Sequence, residues 1–183
     1  MSDTMPDTMP DTMPDLATIT AAGVTDFAEK ISEICTIKKE REKVKEELRK
    51  LGEITITKNG HEKKFVVPVN VFYEYGGSGI IIGLNDSGKS VDYLQYVLKF
   101  DCVPNPKYRG ETLRTAIRIN EEFTKYGQGG EYTNNMAIYY GNVVTTGDGP
   151  PISFAVYKFL GEELGNILFE KTESLPLDDK KKL

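Results

Sequence analysis

Apolar and polar positions repeat along this chain with two different periods, and the points where the period changes divide it into elements. Across residues 26–51 the apolar positions Phe27, Ile31, Ile34, Ile37, Val44, Leu48 and Leu51 recur at helical spacing. Asp26, with Glu29 three residues on, makes a capping box, and Gly52 makes a stop, so one long amphipathic helix is predicted. Positions 27, 34, 41 and 48 share one heptad register, with 37, 44 and 51 in the other seam position and Arg41 interrupting it. That seam suits either a short coiled coil between subunits or a helix lying on its own domain.

The period then falls to two. Residues 54–57 alternate, Asn59-Gly60 is a strong hairpin turn, and residues 65–75 return. A two-residue loop pairs Ile54 with Phe65 and Ile56 with Lys63. Pro68 lacks a donor and marks an edge strand or a bulge. Gly76-Gly77-Ser78-Gly79 reads as a loop, and Ile80-Ile81-Ile82 as a buried strand. Residues 91–100 read as a helix carrying Val91, Leu94, Val97 and Leu98 on one side, broken by Pro104 and Pro106. Residues 111–126 read as a second helix, 136–145 as a strand, and 152–164 as a third helix.

The predicted architecture is α+β: a long N-terminal helix, an antiparallel hairpin or meander, then helices with one further strand region. Domain boundaries follow: a tail at 1–15, an amphipathic helical segment at 16–52, an α+β domain at 53–175 and a frayed end at 176–183. The tail is a threefold Asp-Thr-Met-Pro repeat. Proline at every fourth residue removes backbone donors, and nothing there can build a core, so disorder is expected.

Composition narrows the function classes. Apolar residues make up 39% of the 183-residue chain and charged residues 28%, values of a globular domain. The net charge of −5 disfavours a general nucleic-acid binder, which needs a basic face, and permits an acidic face for a basic partner. The two cysteines, Cys35 and Cys102, lie far apart among apolar neighbours and are expected to be reduced thiols. With no signal peptide and no membrane-length apolar run, a cytoplasmic protein is expected. His61 is the only histidine and follows a turn, which disfavours a Ser-His-Asp or Cys-His site.

One motif carries chemistry. Gly83-Leu84-Asn85-Asp86-Ser87-Gly88-Lys89-Ser90 fits G-x-x-x-x-G-K-[ST]. In a phosphate-binding loop Gly83 and Gly88 let backbone donors curl round phosphates, Lys89 reaches the β- and γ-phosphates, and Ser90 ligates Mg²⁺. These eight residues resemble the phosphate-binding loop of small GTPases, particularly the Arf-like and signal-recognition-particle receptor β type. The resemblance implies ATP or GTP with magnesium as cofactor. The rest of the chain departs from that family, with no N-K-x-D element and too few strands for a parallel sheet.

With no acid–base pair, nucleophile dyad or metal cluster in view, the leading expectation is a non-catalytic interaction protein with no cofactor. It would bind, and inhibit, a macromolecular partner such as a basic nucleic-acid-binding enzyme, in the manner of phage and mobile-element inhibitors. Arg41, Glu42, Lys45 and Glu46 on the charged helix and Tyr132 and Tyr139 are its candidate contact residues. The alternatives are a nucleotide-binding protein or small NTPase using residues 83–90, and an oligomeric structural component assembled through residues 26–51.

Overall fold

The computed structural model describes residues 15–89, 93–102, 109–126, 136–144 and 150–161. Its centre is a closed β-barrel rather than the expected long N-terminal helix, antiparallel hairpin or meander, and helices with one further strand region. The strands are β1 (Ala17–Ala21), β2 (Glu53–Lys58), β3 (His61–Val66), β4 (Tyr73–Tyr75), β5 (Gly79–Asp86), β6 (Tyr96–Asp101), β7 (Tyr139–Val143) and β8 (Ser153–Lys158). Their order is β3-β2-β1-β7-β8-β6-β5-β4, and β3 also pairs with β5. Seven strands therefore close on themselves, and β4 is an added edge on β5. All pairings among the described residues are antiparallel except β1 with β7.

Among the described residues three helices accompany the barrel: α1 (Phe27–Thr36), α2 (Arg41–Leu51) and α3 (Glu111–Tyr126). The predicted long N-terminal helix is two helices. Asp26 caps α1 through the Glu29 backbone N–H at 2.9 Å, as the capping box implies. The chain then turns at residues 37–40, and α2 folds back so that Lys30 on α1 meets Glu47 on α2 at 2.5 Å. Phe27, Ile31, Ile34, Val44, Leu48 and Leu51 are all buried in the same cluster as the barrel residues. The heptad seam thus closes one end of its own barrel.

Two further helix expectations give way to strands. Residues 96–101 form β6, with Tyr96, Leu98 and Phe100 facing the lumen opposite Leu84, Ile82 and Ile80. Residues 153–158 form β8, where Phe154 and Val156 face inward while Ala155 and Tyr157 sit beneath α3. A strand apolar on both faces shows no period of two, and its run of apolar residues imitates a helix. The hairpin register is as expected, Ile54 with Phe65 and Ile56 with Lys63. Asn59 and Gly60 both adopt positive φ, 52° and 76°, which the type I′ turn demands. Residues 111–126 are helical, and a strand lies within 136–145, as expected.

The lumen is filled by side chains. Ile19, Ile54, Ile56, Phe65, Ile80, Ile82, Leu84, Leu98, Phe100, Phe154 and Val156 are each at most 1% exposed. Phe27 of α1 meets Phe100 edge-on at 5.8 Å, joining the helical cap to this core. The expected thiols are instead a disulfide, Cys35–Cys102, which ties the last turn of α1 to the end of β6. Oxidising surroundings maintain such a bond, which replaces the expected reduced thiols. Beyond it, Asp101 accepts the Thr112 backbone N–H at 3.2 Å and the Ser153 hydroxyl at 2.5 Å, capping α3 from another element. Of the expected repeat tail at 1–15 only Asp15 is described, and the frayed C-terminus expected at 176–183 lies outside the described residues. No described helix is long and apolar enough to cross a membrane.

Candidate functional site

The two ends of the barrel differ because the strands run out at different residue types. At the end away from α1 and α2, the inward-facing positions become polar. Phe65, 1% exposed, is the floor, with the Tyr96 ring edge-on at 5.3 Å and the Tyr139 ring at 6.2 Å. Two residues before Phe65 on the same face, Lys63 lies 5.8 Å from its ring centre. Asp86 stands directly opposite Phe65 across the β3–β5 seam. Lys158 occupies the corresponding place opposite Tyr96.

Asp86 organises this mouth. Its side chain is 4% exposed and lies between two ammonium groups, Lys63 Nζ at 2.6 Å from Oδ1 and Lys89 Nζ at 2.9 Å from Oδ2. The Lys63 ammonium, and secondarily Lys89, hold the carboxyl below the usual aspartate range, while Asp86 raises Lys63. The β5–β6 connection that carries Lys89 is fastened at its far end by a reciprocal pair. Gln95 Oε1 accepts the Asp86 N–H, and Asn85 Oδ1 accepts the Gln95 N–H, both at 2.9 Å.

The phosphate-loop motif is therefore laid out differently from the family it resembles. Gly83 to Asp86 lie inside β5, where Gly83 and Leu84 pair with β6 and Asn85 and Asp86 pair with β3. The Gly83 N–H donates to Phe72 O at 3.0 Å. Backbone donors committed to a sheet do not curl round a phosphate. Gly83 answers a packing need: a Cβ there would lie 2.5 Å from Leu94 Cδ1 and 2.9 Å from Phe72 Cβ. Gly88 takes a positive φ of 80° in the turn after β5, Lys89 joins Asp86, and Ser90 lies outside the described residues. The following described element is β6, where a helix was expected.

The expected contact residues are scattered. Arg41 forms a two-pronged pair with Glu74 of β4, its Nη2 3.1 Å from Oε2, and lies over Tyr75. Glu42 pairs with Lys45, and Glu46 with Lys50, along α2. Tyr139 is at the barrel mouth, remote in the fold from α2, and Tyr132 is outside the described residues. Lys63 and Asp86, the charged heart of the mouth, were not among the residues expected to act. The hairpin register already placed Lys63 on the Phe65 face, so half of the pair was legible.

A second feature lies on the barrel's outer wall. Phe72 and Phe159 meet with ring centres 5.8 Å apart, and Leu94 covers Gly83 beside Phe72. Next in the chain to these residues, Tyr93 is 68% exposed and Leu160 59%.

Among the described residues no three His, Cys, Asp or Glu side chains gather to hold a metal ion. No protein family, curated protein or solved structure matches the chain.

Proposed function

We propose that this protein is a non-catalytic binding module that engages a protein partner through the outer wall of its barrel around Gly83. The observation that supports this reading is the apolar cluster of Phe72, Leu94 and Phe159 flanked by exposed Tyr93 and Leu160. Large apolar side chains exposed beside a packed apolar group mark interaction surfaces, and tyrosine is favoured there. The net charge of −5 favours a partner with a basic surface, such as a nucleic-acid-binding enzyme, whose activity the contact would block.

The test compares the wild type with the double variant Tyr93→Asp, Leu160→Asp in capture from extracts of the source organism. Circular dichroism confirms that both are folded. A stoichiometric partner held by the wild type and released by the double variant is the expected result. Equal recovery with both proteins, or no partner at all, sinks the reading.

A further inference from the structure

We propose that the barrel mouth is a binding site for a phosphoryl oxyanion, held by Lys63 and Lys89 on either side of Asp86. This site is separate from the apolar wall around Gly83 and stands or falls independently of it.

One carboxylate faces two ammonium groups, so the trio carries a net positive charge in a chain that is negative overall. Each ammonium has three donors. Asp86 takes one direction from each, and both lysines keep a solvent face, with side-chain exposures of 42% for Lys63 and 62% for Lys89. Both ammonium groups sit on the two oxygens of one carboxylate, so the donors that remain open belong to neighbouring groups that one tetrahedral oxyanion can bridge.

The surroundings strengthen that attraction. Phe65 closes the lumen beneath Lys63, with Tyr96 and Tyr139 against it. A low-dielectric floor under a charged rim focuses the field outward and makes each charge count for more than it would in open water. Asp86 also fixes both ammonium groups before any ligand arrives, which lowers the ordering cost of binding. The site rests on side chains from two strands and a turn. It does not need the backbone donors that a phosphate loop uses, of which the Gly83 N–H is occupied by Phe72 O.

A phosphoryl group reaches such a site either as free phosphate or as part of a nucleotide, and the two are separable. The full-length protein is titrated by calorimetry with inorganic phosphate and with ATP, at constant ionic strength. Saturable binding near one per chain is expected for at least one probe. Lys63→Gln and Lys89→Gln should each weaken it at least tenfold, and Lys125→Gln on the exposed face of α3 should leave it unchanged. Asp86→Asn should tighten it several-fold, because it removes the negative charge that competes for the same ammonium groups. Equal affinity for both probes identifies free phosphate as the ligand, and much tighter ATP binding identifies a nucleotide. The proposal is overturned if neither probe gives saturable heat with the wild type. It is also overturned if folded Lys63→Gln and Lys89→Gln bind as the wild type does. Should Asp86→Asn fail to fold by circular dichroism, the two lysine variants decide.

Discussion

The two ends of this barrel are built from the same strands and finished by opposite means. At the capped end, α1 and α2 lay Phe27, Ile31, Ile34, Val44, Leu48 and Leu51 over the lumen, and water is excluded. The turn between these helices is pinned to β4, where the Tyr73 hydroxyl donates to Lys38 O at 2.7 Å and Lys38 Nζ to Gly76 O at 3.1 Å. A disulfide fastens the same end covalently. At the open end the lumen stops at Phe65 and is finished by ions: Lys63, Asp86 and Lys89. Apolar burial and a covalent link carry most of the stability of the first end. The second end exchanges some of that stability for charge directed at solvent, as a binding surface requires.

If this contrast is right, substitutions should cost far more at the capped end. The largest effect is expected from Phe100→Ala, which empties the position where the helical cap meets the lumen. Large-to-small changes at fully buried aromatics cost about 3–5 kcal/mol, and chemical denaturation measures it. A loss under about 1 kcal/mol would mean that α1 does not seal the barrel.

Next is the disulfide, which closes a loop with a sequence separation of 67 residues. Chain-entropy arguments give such a loop about 4 kcal/mol. Adding reductant, or the double change Cys35→Ser and Cys102→Ser, should lower the denaturation midpoint accordingly. Two free thiols titrated in native protein prepared without reductant would show that no covalent staple exists.

Asp101→Ala should come third, at about 2–3 kcal/mol. It uncaps α3 and strands the Ser153 hydroxyl in a buried site. Loss of α3 helicity by circular dichroism, ahead of global unfolding, is the signature.

At the open end, Asp86→Ala should cost about 1 kcal/mol or less, because both lysines can turn into water. A cost comparable with that of Phe100→Ala would erase the distinction between the two ends.

The smallest effects are those of pH. Lys30 and Lys50 hold the Glu47 carboxyl down to about 2, and Lys63 and Lys89 lower Asp86. A carboxyl lowered in the folded state stabilises it above the unfolded value of about 4 and loses that contribution as pH falls. Stability should therefore decline from about pH 5 toward pH 2, and Glu47→Gln should flatten that limb. Burial pushes the Tyr73 hydroxyl up to about 12. Its contribution is complete below the unfolded value of about 10 and is lost as pH rises through the folded one. Denaturation midpoints measured across pH would show both limbs, and an acid limb unchanged by Glu47→Gln would remove Glu47 from the account.

Local rules in the sequence determined the local elements. Asp26 caps a helix, Asn59-Gly60 turns a hairpin whose register runs from Ile54–Phe65 to Lys58–His61, and 111–126 is a helix. Each depends on side chains within a few residues of one another, so composition and spacing suffice. Tertiary structure alone decided the rest. Residues 96–101 and 153–158 became strands because partners far along the chain offered ladder hydrogen bonds and an apolar lumen. Barrel closure turned Gly83 to Asp86 from a phosphate-loop signature into a paired strand and set Asp86 across from Phe65. The Cys35–Cys102 bond and the gathering of Lys63 with Lys89 likewise join positions distant in sequence. Such contacts depend on which strand neighbours which, and that is settled only when the whole sheet closes.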